Sequence, residues 1–176
     1  MEFRVLGGPE AGPTLDLAHE RFAYAGKFVM SGTGKAVAED DGVVAAVAFS
    51  DDRTNPATAW LRYLTVRADR RGEGIGARLA ALTAEHLLAD HDRVRIAVNN
   101  PFAYEACYKA GFGFTGERTG LAELVLERPG ERSPERYRAG LEAYREREDL
   151  ADAERAFLDR KGETPPEPVD SNPAGE

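Results

Sequence analysis

The sequence predicts an α/β fold: a mixed sheet of about seven strands with helices on both faces, extended by a C-terminal helix. Three observations carry this expectation. Asp40-Asp41-Gly42 lies between two apolar runs, which is a strong hairpin signal. Residues 60–90 read as a strand, a glycine-rich turn and a helix, and Arg93 to Val98 reads as a strand again. Two strands joined by a helix should lie parallel in one sheet. Around them, short apolar runs alternate with breaks rich in glycine, proline and aspartate.

Taken in order, Glu2 to Leu6 alternates polar and apolar residues and is a first strand, stopped by Gly7, Gly8, Pro9, Gly12 and Pro13. Thr14 caps an expected helix to about Gly26, with Leu15, Ala18, Phe22 and Ala25 at helical spacing. Lys35 to Glu39 and Val43 to Ser50 form the hairpin. Asp51 to Pro56 is a polar loop, and Thr58 to Arg67 is the next strand. A helix from Gly74 to about Asp90 carries Ile75, Leu79 and Leu82 on one face. After the strand at Arg93, Pro101 opens a short helix to about Ala110. Phe112 to Thr115 and Leu121 to Glu127 are the last two strands. Pro129-Gly130 marks a boundary, after which Ser133 and Pro134 start one helix to about Arg160. The expected divisions are therefore 1–128, a helical extension 129–160, and a proline-rich acidic tail 161–176 read as disordered.

Composition narrows the function. The chain has 176 residues, 42% hydrophobic and 31% charged, enough for one domain with a proper core. A net charge of −8 argues against nonspecific nucleic-acid binding, which runs on excess positive charge. The longest apolar run, Val43 to Phe49, is too short to cross a bilayer, and the N-terminus does not read as a signal peptide. Cys107 is the single cysteine, so no intrachain disulfide forms and a cytoplasmic location is the expectation. His19, His86 and His91 lack metal-ligand spacing, so no metal is expected, and His86 falls on its helix's apolar stripe as a partly buried residue.

Function is concentrated in Leu64 to Ala77, LTVRADRRGEGIGA. A strand, a glycine-rich turn and a helix start make an anion site, because glycines let backbone approach closely and the first helical amides lack partners. Arg70 and Arg71 add charge, so a phosphate or pyrophosphate is the natural ligand. The spacing excludes two common phosphate loops. A dinucleotide fingerprint needs its third glycine one place later than Gly76, and Gly34-Lys35 lacks both the leading glycine and the following hydroxyl of a P-loop. R-x-x-G-x-G preceded by L-x-V instead resembles the pyrophosphate loop of the GNAT superfamily of acetyl-CoA-dependent N-acetyltransferases.

A second segment, Asn100 to Phe112 (NPFAYEACYKAGF), resembles the asparagine-led, tyrosine-bearing helix and Gly-Phe that follow the fifth strand in that superfamily. The likeness extends from the N-terminus to about Arg128 and implies a GNAT-like, largely antiparallel mixed sheet. It further implies transfer of an acetyl group from acetyl-CoA to a primary amine by direct attack. The acceptor stays open among small amines, peptide N-termini and lysines, and a homodimer stays open too. The cofactor-binding residues it implies are Arg71, Gly72, Glu73, Gly74, Ile75, Gly76 and Ala77, with Asn100, and the Val66 amide as donor to the thioester oxygen.

Two departures matter. Ala68 replaces a common proline. The usual tyrosine, four residues before the Gly-Phe glycine, is Cys107 here, and Tyr108 sits one place later. Tyr104, Cys107 and Tyr108 share a helical face. Tyr108 is the candidate general acid for the leaving thiolate, with Cys107 a poor substitute. For the base, Glu39, Glu123 and a water relay stay open, and Tyr63 is a candidate lining residue for the acceptor. The shifted register also keeps open a non-catalytic reading, in which the domain binds acyl-CoA for regulation or interaction.

Overall fold

The computed structural model describes residues 1–120 and 122–169. The chain forms two compact units, Met1 to Val94 and Arg95 to Pro168. The seven expected strands are present: β1 (Glu2–Gly7), β2 (Gly34–Glu39), β3 (Val43–Asp51), β4 (Thr58–Val66), β5 (Arg93–Val98), β6 (Gly113–Arg118) and β7 (Leu124–Arg128). Four α-helices accompany them: α1 (Ile75–Leu88), α2 (Pro101–Lys109), α3 (Pro134–Arg145) and α4 (Asp152–Arg160).

In the first unit the strands run in the order β1-β2-β3-β4, each antiparallel to the next. The β2–β3 hairpin turns where Asp-Gly predicts, with Asp41 at φ 55° and Gly42 at φ 108°. A bulge between Ala48 and Phe49 leaves Arg62 of β4 unopposed, and such a bulge bends its strand. One face of the sheet is covered by α1, which buries Ile75, Leu79, Ala80, Ala84 and Leu87. Gly76 lets the first turn of α1 approach β4, since a Cβ there would stand 3.1 Å from Val66 Cγ2.

The helix expected from Thr14 to Gly26 does not form. Residues 13–33 make an irregular strap that buries Leu17, Phe22, Ala25 and Phe28 against Val37, Ala46 and Ala48. The apolar spacing was real, but Thr14, Asp16, His19, Tyr24 and Gly26 are weak helix formers. The Leu15 amide also donates to the Phe28 carbonyl at 2.8 Å, a closure that a straight helix, rising about 1.5 Å per residue between them, would hold apart.

His86 is exposed, not on the buried stripe of α1, where Ala84 and Leu87 take the inward positions. His91 is the structured histidine: Nε2 meets Asp51 Oδ1 at 2.8 Å, and Nδ1 meets the Leu87 carbonyl at 2.8 Å and Asp90 Oδ1 at 2.9 Å. Both ring nitrogens face acceptors, so the doubly protonated ring is favoured. Burial opposes that charge, but the bond to Asp51, the Leu87 carbonyl and the two carboxylate charges outweigh it and raise the pKa. The folded value being the higher, this stabilisation is complete below about pH 6.5 and fades as pH rises through the folded value. His91→Gln should therefore depress the thermal midpoint most near pH ~5.5 and progressively less toward pH ~8. A midpoint difference that does not change with pH would show a neutral ring.

The second unit begins within β5, and its strands run in the order β5-β7-β6, with β6 and β7 antiparallel. Asn100 caps α2, its Oδ1 accepting from the Ala103 amide at 2.9 Å, and Ser133 caps α3 in the same way from Arg136. The single C-terminal helix expected to about Arg160 is two helices. No apolar residue falls at helical spacing between Tyr144 and Leu150, and Glu154 caps a new start by accepting from the Ala151 amide at 2.9 Å. The chain beyond Pro129 packs with α2 and β6 in this unit. Of the tail read as disordered, residues 161–169 are placed, with Lys161 near Glu105, Glu163 on Arg138 and the Pro166 carbonyl on Arg132. Residues 170–176 lie outside the described residues, as does Leu121, the expected start of the last strand.

The centre of this unit is aromatic. Tyr104 and Tyr137 stack at 5.9 Å, with Tyr108 at 5.0 Å and Tyr144 at 5.7 Å from Tyr104. Each hydroxyl has a partner: Tyr104 donates to the Tyr137 carbonyl, Tyr137 to Glu105 Oε2, Tyr144 to the Val98 carbonyl, and Tyr108 accepts from the Phe114 amide. Buried tyrosines are stable only with such partners.

Candidate functional site

The glycine loop has the form its sequence predicts. β4 ends at Val66, whose Cα partner on β3 is Ala45, and the next amide, Arg67, donates to the Val44 carbonyl at 2.8 Å. A short turn, Ala68–Arg70, leads into Gly72 at φ 83° and Gly74 at φ 80°. Both are left-handed, a conformation that a glycine adopts without steric cost. A Cβ on either would meet nothing within 4 Å, so the space in front of both glycines is open.

Gly74 precedes α1 directly, and the first helical bond runs from the Arg78 amide to the Gly74 carbonyl at 3.1 Å. The amides of Ile75, Gly76 and Ala77 therefore have no acceptor inside the helix. They stand at the positive end of the helix dipole, and the first turn contains no acidic residue. Open space, unpaired amides and a favourable dipole together fit a diphosphate.

The two arginines differ. Arg70 is committed, with NH1 3.0 Å from Asp40 and Nε 3.1 Å from Glu73, and these carboxylates raise its pKa. It braces the loop against the β2–β3 turn instead of offering its charge. Arg71 is exposed and is the cation left for a phosphate. Glu73 is the brace on Arg70 from within the loop. Val66 and Arg71 to Ala77 are thus gathered around one helix end.

Asn100 and Tyr108 belong to the second unit. Asn100 spends its carbonyl oxygen on the α2 cap, and its Nδ2 lies 3.4 Å from Asn99 Oδ1. Tyr108 is fully buried; Phe114 donates to its hydroxyl at 2.9 Å, the Arg132 guanidinium lies 5.1 Å from its ring, and burial raises its pKa. Cys107 is also enclosed, with burial pushing its thiol up to about 12. Of the candidate bases, Glu39 is paired with Arg4 at 2.9 Å, and Glu123 Oε1 accepts from the Thr119 hydroxyl at 3.2 Å. Tyr63 is half-buried, its ring 5.6 Å from that of Tyr24.

Two features escaped the sequence reading. Lys35 is fully buried and its ammonium binds oxygens of the strap; the signal was a lone lysine in the apolar run that follows Gly34. Thr65 on β4 carries a buried hydroxyl that has no hydrogen-bond partner among the described residues. No helix among the described residues is long and apolar enough to cross a membrane.

The family model described as Acetyltransferase (GNAT) family matches residues 8–114, more than half of the chain. Among solved structures, nourseothricin acetyltransferase is 21% identical at a TM-score of 0.46, over 54% of this chain and 64% of that one. A Bacillus subtilis acetyltransferase in complex with CoA is 16% identical at 0.47, over 54% and 75%. The PaiA N-acetyltransferase of Thermoplasma acidophilum, in complex with coenzyme A, is 21% identical at 0.44, over 53% and 58%. The matched part spans just under two thirds of the first of these. Among curated proteins no match is found. The match of the family model, whose range includes the strand, glycine loop and helix just described, shows that the chain belongs to the GNAT acetyltransferase family.

Proposed function

We propose that this protein is an acetyltransferase that moves an acetyl group from acetyl-CoA to a primary amine, in a reducing cytoplasm. The observation that carries the reading is the open, left-handed Gly72 and Gly74 before the unpaired amides of α1. In this reading the Ile75, Gly76 and Ala77 amides and Arg71 hold the cofactor's diphosphate. The cofactor supplies the activated acetyl thioester. The Val66 amide is proposed to donate to the thioester oxygen as it gains charge, where a pre-placed donor is most useful. The test is acetyl-CoA consumption with a panel of small amines, peptide N-termini and lysine peptides. Tight CoA binding without consumption for any amine would favour the non-catalytic, CoA-holding reading, whose support is the enclosure of both Tyr108 and Cys107.

Proton delivery to the leaving thiolate follows from the same enclosure. The Tyr108 hydroxyl is fully buried, and burial makes its phenol a weaker acid even though the Phe114 amide that donates to it favours the phenolate. A thiol has an unperturbed pKa of ~8.5, so a departing thiolate needs little help near neutral pH, and solvent suffices. We therefore expect Tyr108→Phe to lower stability by about 1–3 kcal/mol, because the buried Phe114 amide loses its acceptor. Turnover should fall less than ~10-fold, and a loss of ~10²-fold or more at unchanged acetyl-CoA binding would restore Tyr108 as the acid.

A further inference from the structure

We propose that Lys35 is a positioning residue: its buried ammonium ties the 13–33 strap across β4 so that the strap forms the wall against which the acceptor amine is held. This deepens the acetyltransferase reading above and rests on it.

The tie is unusual in composition. Lys35 is 0% exposed, and its Nζ donates to the carbonyls of Pro13 at 2.7 Å, Met30 at 2.8 Å and Thr33 at 2.9 Å, with the Thr33 hydroxyl at 2.8 Å. No carboxylate lies among these four oxygens. A buried cation balanced only by neutral dipoles is costly, and burial accordingly lowers its pKa. An apolar residue in a strand of alanines and valines would have served the core at less cost. What the ammonium adds is geometry: it gathers both ends of the strap, Pro13 and Met30 to Thr33, at one point on β2.

What is held between those ends lies over the functional strand. The Arg21 carbonyl accepts from the Ala68 amide at 2.9 Å, just past the end of β4. Tyr24 packs on Tyr63 with ring centroids 5.6 Å apart, and Lys27 Nζ lies 5.6 Å from the Tyr63 ring. The strap therefore touches the chain on both sides of Val66, at Tyr63 in β4 and at Ala68 just beyond it. Tyr24 is held at φ 63°, an uncommon position for a tyrosine, and the residue is 52% exposed. That conformation opens the short turn Ala25–Lys27, where the Lys27 amide donates to the Tyr24 carbonyl at 2.8 Å, and the turn leaves the side chain facing Tyr63. Beneath it, Thr65 points to the same sheet face as Tyr63, since their β3 partners are Ala46 and Ala48, and its hydroxyl has no partner among the described residues.

The experiment uses the full chain and whichever amine of the panel is acetylated fastest. Lys35→Met removes the ammonium at nearly constant volume, and Lys35→Arg restores a charge with donors. Tyr24→Gly removes the ring while relieving the left-handed strain, so it does not depend on the survival of a buried-charge variant. Lys35→Met and Tyr24→Gly should each raise the acceptor KM by ~10-fold or more, with the acetyl-CoA KM and calorimetric CoA affinity unchanged, and Lys35→Arg should recover part of the loss. A merely structural lysine would move both KM values together, or neither, and that overturns the proposal. If Lys35→Met does not fold, Tyr24→Gly decides: an unmoved acceptor KM overturns it. A parent protein that binds CoA but acetylates no amine removes the transferase reading itself, and the positioning role falls with it.

Discussion

Gly74→Val should abolish useful CoA binding while leaving the protein folded. Gly74 sits at φ 80° immediately before α1, with open space where a side chain would begin. The added Cβ thus meets no protein atom within 4 Å beyond its chain neighbours. It projects instead into the space that the Ile75, Gly76 and Ala77 amides face, where the diphosphate is expected. Valine also resists left-handed geometry, at about 1–3 kcal/mol, so the loop should shift and misdirect those amides. Loss of two charge-assisted hydrogen bonds, each worth about 1.5–3 kcal/mol, predicts at least a ~100-fold rise in the dissociation constant. Calorimetric titration with CoA measures it, and circular dichroism confirms the fold. Gly76→Ala is the contrasting control, since its Cβ would press on Val66 Cγ2 without entering the open space. Unchanged affinity in folded Gly74→Val would mean that CoA binds elsewhere.

The loop was legible because its chemistry is local. Glycines at fixed spacing, a preceding strand and a following helix are properties of adjacent residues, and so are the Asp41-Gly42 turn and the Asn100 and Ser133 caps. What the sequence concealed depends on partners far along the chain. The periodicity of Leu15, Ala18, Phe22 and Ala25 marked burial correctly but not conformation, because the Leu15 amide pairs with Phe28 and Lys35 gathers the strap's ends. Arg70 counted as a ligand charge until Asp40, thirty residues away, was found against it. Nothing local to the second signature announces that Tyr104 would spend its hydroxyl on Tyr137, or Tyr108 on Phe114. Helical spacing placed Tyr104, Cys107 and Tyr108 on one face; only the tertiary packing says what covers it.

Gly140 offers the sharpest test of that covering, because two physical effects predict opposite signs. As a residue inside α3, Gly140→Ala should stabilise by about 0.8–1 kcal/mol on helix propensity alone. The packing predicts the reverse. A Cβ at Gly140 would lie 2.0 Å from Tyr104 Oη, 2.3 Å from Cζ and 2.5 Å from Cε1. That ring has no free direction: Tyr108, Tyr137 and Tyr144 lie around it, and its hydroxyl is bonded to the Tyr137 carbonyl at 2.9 Å. Relief requires α3 to lift or the tyrosine cluster to repack, and such overpacking costs about 1–3 kcal/mol, with more for valine. We expect packing to win, so Gly140→Ala should lower the denaturation midpoint and Gly140→Val should lower it further. In a Tyr104→Leu background, where the phenol is gone, the cost of Gly140→Ala should shrink or turn into the propensity gain. CoA affinity at the glycine loop, which belongs to the other unit, should stay at the parent value in whatever remains folded. A stabilising Gly140→Ala in the parent background would show that α3 does not seat on Tyr104, and would strengthen Tyr108, on the same face of α2, as the candidate acid.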